Sequence, residues 1–304
     1  MVLTPGAPAA ASSSARATVL KIVVALSVAV PATLLGLAFL SKLIAHYDLN
    51  LGVRYADGQN VAKDDAKAAR FFKIACALGN PIGCANLGIM YEDGRGVARD
   101  DAKAVELYEK ACNGGNAAGC TSLGVMYQNG RGVAKDDTKV VALYKKACDA
   151  GNAIGCTNLG AMYAKGRGVA KDDARAAELL KKACDGGDAS SCSNLGLMYR
   201  DGRGVAQDDA RAVELFQTGC DGGDVHGYAA LGWMYASGRA VARDDTKATE
   251  LYKKGCDGGD GLACANLAVA YETGRGVAKD DARAIEMYKK GCHGGFSPAC
   301  AHVK

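Results

Sequence analysis

The chain is 304 residues long, carries a net charge of only +4, and has 40 glycines and 13 cysteines against five prolines. Its basic residues mostly sit beside acidic ones, as in Lys135-Asp136-Asp137, so there is no electropositive stripe and nucleic acid is excluded as a partner. Glycine at this level suggests low complexity when scattered, but here it recurs at fixed positions and acts as turn punctuation in a folded chain.

Residues 1–15 offer almost nothing large to bury, and residues 1–21 are expected to form a disordered cytoplasmic N-terminus. From Ile22 to Leu40 no charge occurs, a length that suits a helix crossing the hydrocarbon of a bilayer. Arg16 and Lys21 before it predict that everything after Leu40 lies across the membrane. Gly36 and Ala38 also suit the small-residue positions of a cleavage site, so residues 22–40 read as a transmembrane anchor or a signal peptide. Either way the remainder is exported: held at the inner membrane with its repeats in the periplasm or outside, or secreted after cleavage. Disulfides persist in those compartments.

From residue 43 onward the chain repeats. LGVRYADG at 51 returns as LGIMYEDG at 87, LGVMYQNG at 123, LGAMYAKG at 159, LGLMYRDG at 195, LGWMYASG at 231 and LAVAYETG at 267, always 36 residues on. A fixed period in this range predicts an all-α solenoid whose units bury their apolar faces only against neighbours. In each unit a helix A begins at an N-cap such as Asn80, followed by Pro81, and carries Leu87, Met90 and Tyr91 on one face. Gly88 on that face leaves room for close approach by a neighbouring helix. Helix A ends at Asp93-Gly94, and Asp100 caps a helix B whose Ala104, Leu107, Tyr108 and Ala111 share a second apolar face. Glycines 114 and 115 stop it. Seven pairs are expected, then a fragment of an eighth helix A at 297–304.

The pattern LGxxYxxGxGV followed by an Asp-led helix resembles the Sel-one-like repeat family of the tetratricopeptide superfamily, over residues 43–304. The resemblance implies a right-handed solenoid of helix-turn-helix units and, in general, a binding role. With cysteine-paired units of this length the chain also resembles the cysteine-rich, Hcp-type members, a group carrying a β-lactamase or penicillin-binding description.

The cysteines fall in pairs eight apart. One straight helix cannot bridge such a pair, because eight residues rise roughly 12 Å, whereas bridged Cα atoms lie about 4.4 to 6.8 Å apart. A turn must intervene, as Asn113-Gly114-Gly115-Asn116 does. Local pairing gives Cys76–Cys84, Cys112–Cys120, Cys148–Cys156, Cys184–Cys192, Cys256–Cys264 and Cys292–Cys300, leaving only Cys220 over. The shifted scheme strands Cys76, Cys256 and Cys300. Local bridges tie each helix B to the next helix A. Tyr228 stands where the partner of Cys220 is expected, either packing in place of a lost staple or leaving a thiol for intermolecular bonding.

No serine stands three residues before a lysine, and His46, His226, His293 and His302 form no hydrolase cluster, so no catalytic residue, metal ligand or cofactor is assigned. β-Lactamase or penicillin-binding activity therefore stands only as an alternative implied by resemblance. The candidate binding residues are amides. Asn50, Asn86, Asn158, Asn194 and Asn266 share one position of helix A, where Ser122 and Ala230 interrupt the series. On the concave face of a solenoid such a ladder holds an extended peptide or protein segment, since an amide both donates and accepts. The competing reading is that these amides hold the stack in register. Trp233 and His226 depart from their columns within one repeat and form a candidate hot spot. The loop arginines Arg95, Arg131, Arg167, Arg203, Arg239 and Arg275 read as solvated groups neutralised by the aspartates that follow them. Loops of the Asp185-Gly-Gly-Asp188 type read as helix stops followed by N-caps rather than calcium sites.

Overall fold

The computed structural model describes residues 34–303. Among them are fourteen α-helices, one short 3-10 helix and no strand. The A helices are α1 (Leu34–Asp57), α3 (Pro81–Asp93), α5 (Ala117–Asn129), α7 (Ala153–Lys165), α9 (Ala189–Asp201), α11 (Val225–Ser237) and α13 (Gly261–Thr273). The B helices are α2 (Asp65–Ala77), α4 (Asp101–Asn113), α6 (Asp137–Asp149), α8 (Asp173–Asp185), α10 (Asp209–Asp221), α12 (Asp245–Asp257) and α14 (Asp281–His293). The expected eighth fragment is the 3-10 helix Ser297–His302. The chain divides into two compact units, Met1–Ala150 and Gly151–Lys304.

The segment expected to be disordered, 1–21, and residues 22–33 of the expected membrane span lie outside the described residues. From Leu34 the chain is already helical and continues without a break into the first helix A, so residues 34–40 belong to α1. Among the described residues no helix is long and apolar enough to cross a membrane.

Side-chain caps set the helix boundaries. Asn80 Oδ1 accepts from the Ile82 and Gly83 amides at the start of α3, and Asp100 Oδ1 accepts from the Lys103 amide at the start of α4. Gly94 ends α3 in the left-handed conformation (φ 69°), where a side chain costs an L-residue roughly 1–2 kcal/mol. Gly96 is also left-handed, and a Cβ there would lie 2.1 Å from the Asp65 carbonyl oxygen. The loop between α3 and α4 therefore rests directly on the N-terminus of α2, in the preceding repeat.

That contact corrects the reading of the arginine column. Arg95 reaches back thirty residues to Asp65 (2.7 Å), Arg131 to Asp101 (2.9 Å), Arg203 to Asp173 (3.1 Å), Arg239 to Asp209 (2.6 Å) and Arg275 to Asp245 (3.4 Å). The arginines are ties between repeats, because stacking places each loop over the preceding B helix. Arg131 also binds Glu92 (2.7 Å), which accepts from the Tyr108 hydroxyl (2.6 Å). The Arg131 guanidinium, with Arg99 beside it, holds the Asp101 carboxyl below the usual carboxylate range. This tie is complete at neutral pH and weakens as pH falls through that lowered value.

Between the paired helices the core is one aromatic ring set over a glycine. A Cβ on Gly88 would lie 2.7 Å from the Tyr108 ring, one on Gly124 2.4 Å from Tyr144, and one on Gly196 2.7 Å from Phe216. The close approach expected at Gly88 is thus made by a helix B ring. Burial pushes the Tyr108 hydroxyl pKa well up, so it remains a donor to Glu92. Two repeats depart from this: in the fourth, Leu180 stands in place of the ring and nothing approaches a Cβ on Gly160 closer than 3.4 Å, and in the seventh, Ala268 stands in place of the glycine.

Five cysteine couples are bridged as expected, Cys76–Cys84, Cys112–Cys120, Cys184–Cys192, Cys256–Cys264 and Cys292–Cys300, with Cα atoms 4.5 to 4.8 Å apart. Cys148 and Cys156 are disulfide-bonded as well. Cys220 is free and buried, and burial pushes its thiol up to about 12. The Tyr228 hydroxyl donates to the Cys220 carbonyl (3.1 Å), so a hydrogen bond spans the junction that a disulfide spans elsewhere.

Candidate functional site

Within the second unit, the successive A helices α9, α11 and α13 contact one another, so equivalent positions line up one repeat apart. On this surface a cavity of about 570 Å³ is lined by Asn194 from α9, His226 and Trp233 from α11, and Asn266 from α13. Four residues singled out from the sequence for two different reasons therefore meet at one place. Leu197, Phe216 and Leu262 give the cavity apolar walls, while Ser190, Asp224 and Asp260 add polar groups.

Ala230 explains why the amides do not crowd this cavity. It interrupts the asparagine series and lines the cavity itself, leaving space between Asn194 and Asn266. Asn194 is exposed and Asn266 half-buried. Asn50 and Asn158 are half-buried in their own repeats, whereas Asn86 is enclosed at 1% exposure. An enclosed amide cannot meet a ligand, so Asn86 fits the reading in which the amide serves the stack.

Two cations hold Trp233 in place. The guanidinium carbons of Arg200 and Arg239 lie 5.5 and 5.2 Å from its ring centroid, within cation–π range. Both cations are fixed from behind, Arg200 by Asp201 (2.7 Å) and Arg239 by Asp209 (2.6 Å), so the indole is held in place while remaining 37% exposed. A rigid, partly exposed indole at the edge of a cavity presents a large contact area that needs no ordering on binding.

His226 sits in the first turn of α11 with its ring largely exposed. Its Nδ1 pairs with Oδ2 of Asp260, the buried N-cap of α13, whose Oδ1 accepts from the Ala263 amide at 2.5 Å. With Asp260 as carboxylate, Nδ1 is the donor in this pair. The asparagine amides lining the same cavity carry both donors and an acceptor.

The remaining candidates are structural. Asp188 caps α9 through the Ser191 amide (3.1 Å) and accepts from the Thr157 hydroxyl (2.8 Å), as expected of a helix start. Among the described residues no group of three or more His, Cys, Asp and Glu is placed to hold a metal ion. The Ser190 hydroxyl donates to Asp188, and the Ser193 hydroxyl is buried with no hydrogen-bond partner. Neither serine is arranged with a base in the manner of an acylating nucleophile.

Seven consecutive segments, 47–80, 81–116, 117–152, 153–188, 189–224, 225–260 and 261–296, match the Sel1 repeat family. The chain belongs to that family. Sel1 repeat proteins are tandem-repeat scaffolds. The chain is similar to a Sel1 repeat protein from Oxalobacter formigenes at 30% identity and a TM-score of 0.74, over 81% of this chain and 99% of that one. It is similar at 35% identity and a TM-score of 0.72 to c5321, a protective antigen of uropathogenic Escherichia coli, over 85% of this chain. The chain spans 56% of the length of that antigen. Helicobacter pylori cysteine rich protein B is similar at 32% identity and a TM-score of 0.37, over 44% of this chain and 96% of that one. No curated protein matches the sequence.

The Arg–Asp ties and the ring-over-glycine core were not read from the sequence of this Sel1 repeat chain, although both leave a signal there. Each tying arginine follows its aspartate by thirty residues, and a ring follows a glycine by twenty in five repeats.

Proposed function

We propose that this Sel1 repeat protein is an exported, non-catalytic scaffold that captures extended peptide or protein segments on the A-helix face of its last repeats, the concave side in the tetratricopeptide superfamily. The observation that carries this reading is the meeting of Asn194, Asn266, His226 and Trp233 at one cavity of about 570 Å³. Amides two repeats apart can hydrogen-bond a peptide backbone without reading its sequence, while the indole between them contributes apolar contact area. Oxidised cysteines in repeat after repeat suit an extracytoplasmic compartment. The span 22–40 would then act as the membrane anchor or the signal peptide that delivers the repeats there.

Panning a random octapeptide library on the full chain tests the reading, with affinities measured through Trp233, the only tryptophan in the sequence. The double variant Asn194→Ala/Asn266→Ala is expected to weaken selected peptides roughly tenfold or more, since each lost hydrogen bond contributes about 1 kcal/mol. Its urea unfolding midpoint should stay unchanged. A fall in stability with unaltered affinity would instead assign both amides to the stack. For the enzymatic alternative, nitrocefin turnover by the purified chain is expected to equal that of buffer, and measurable catalysis would overturn the scaffold reading.

A further inference from the structure

A second cavity, about 360 Å³, adjoins the first and shares Trp233 and Asn266 with it. Its origin lies in the sequence. The column occupied by Met90, Met126, Met162, Met198 and Met234 in five repeats becomes Ala270 in the seventh. One repeat earlier, Met234 is fully buried in a cluster with Ala212 and Phe216. The residues equivalent to that pair, Ala248 and Tyr252, line the space beside Ala270, so part of the cavity is the space that a methionine fills elsewhere.

The chemistry of the walls selects the occupant. Ala236, Ala248, Val269 and Ala270 present apolar surface. The charged groups at the edge are already committed to protein partners: Arg275 binds Asp245 (3.4 Å) and Asp245 also binds Arg243 (2.8 Å). The Thr249 hydroxyl lies 2.9 Å from the Asp245 carbonyl and 3.2 Å from that of Arg275, within hydrogen-bonding reach of both. The Arg275–Asp245 pair leaves no unpaired carboxylate at the edge, and away from Asn266 the walls beside Ala270 offer mainly apolar surface. An apolar cavity of about 150 Å³ already admits benzene, so this one has room for a large side chain. The mouth is apolar too, since Trp233 and Val269 are 37% and 42% exposed. Exposed apolar side chains gathered at one place mark an interaction surface.

We infer that the Ala270 cavity is the specificity pocket of the chain, taking one large apolar side chain (Leu, Met or Phe) from a peptide whose backbone passes Asn266. This rests on the peptide-binding reading above and adds a side-chain preference to it. Trp233 forms the wall between this pocket and the larger cavity.

The test is the Ala270→Met variant of the full chain, which restores the residue found at the equivalent position of five other repeats and should fold with an unfolding midpoint no lower than the parent. Octapeptides selected on the parent chain should carry a large apolar residue at one fixed position. Replacing it by alanine, or using Ala270→Met with the original peptide, should weaken binding by a similar factor of roughly tenfold or more. Trp233→Leu, with leucine already present at the equivalent Leu197, is a second fold-compatible variant, and octapeptides panned on it should show a relaxed apolar preference. Selected peptides with no apolar preference, or an Ala270→Met variant that binds them as the parent does, would overturn the pocket while leaving peptide capture standing. A library that yields no binder would overturn both.

Discussion

Reduction of the oxidised chain is expected to cost more stability than any single substitution. Each bridge joins cysteines eight apart across a turn, and closing so short a loop contributes about 2.5 kcal/mol in the chain-entropy account. These five bridges alone sum to roughly 12 kcal/mol, comparable to the net stability of an ordinary domain, and Cys148 and Cys156 are bonded besides. In a solenoid each unit is stabilised mainly by its neighbours, and these bridges lie at the junctions between consecutive units. Urea titration with and without dithiothreitol should therefore show a large fall in midpoint and a broader transition. Alkylation before reduction should label Cys220 only slowly, since its thiol is buried and its pKa raised. A midpoint that is the same under both conditions would show that the staples are not what holds the repeats.

The second large effect is expected where ring and glycine meet. Tyr144 is 1% exposed, and its hydroxyl donates to Gln128 at 2.7 Å. Removing such a ring should cost about 3–5 kcal/mol. Gly124→Ala should also destabilise, by about 1–3 kcal/mol, because its Cβ would stand 2.4 Å from that ring and a packed core resists insertion. The two are coupled. In the Tyr144→Ala background the added methyl has space, so Gly124→Ala should become neutral or favourable through its helix propensity. Gly160→Ala is the built-in control: no neighbour comes within 3.4 Å of a Cβ there, and the variant should be at least as stable as the parent. Chemical unfolding of the four proteins checks the cycle, and additive effects at positions 124 and 144 would contradict the packing described.

What was legible in the sequence obeys local rules. Asn80 and Asp100 as caps, Gly94 as a left-handed stop and the cysteines eight apart each act across one turn, and the structure has them as read. Contacts between repeats were not legible in the same way. Arg95 precedes Asp100 and Asp101 by a few residues, which made them the expected counter-ions, yet stacking carries the arginine back to Asp65. The candidate site was half legible. Trp233, His226 and Ala230 stood out as departures from their columns, and they meet at one cavity. Ala270 attracted no attention because an alanine in a helix is unremarkable by itself. Its effect is the missing volume beside it, and that depends on Ala248 and Tyr252 from the neighbouring helix. Nor does the sequence distinguish the enclosed Asn86 from the exposed Asn194 at the same register.

The central claim is that amides and indole on consecutive A helices of the second unit form one ligand surface, and nitrogen-detected spectroscopy addresses it most directly. A peptide selected on the full chain, titrated into nitrogen-15-labelled protein, should shift the side-chain amide signals of Asn194 and Asn266 together with the indole N–H of Trp233. A peptide that binds tightly while leaving all three signals unmoved would place the ligand elsewhere and contradict the account.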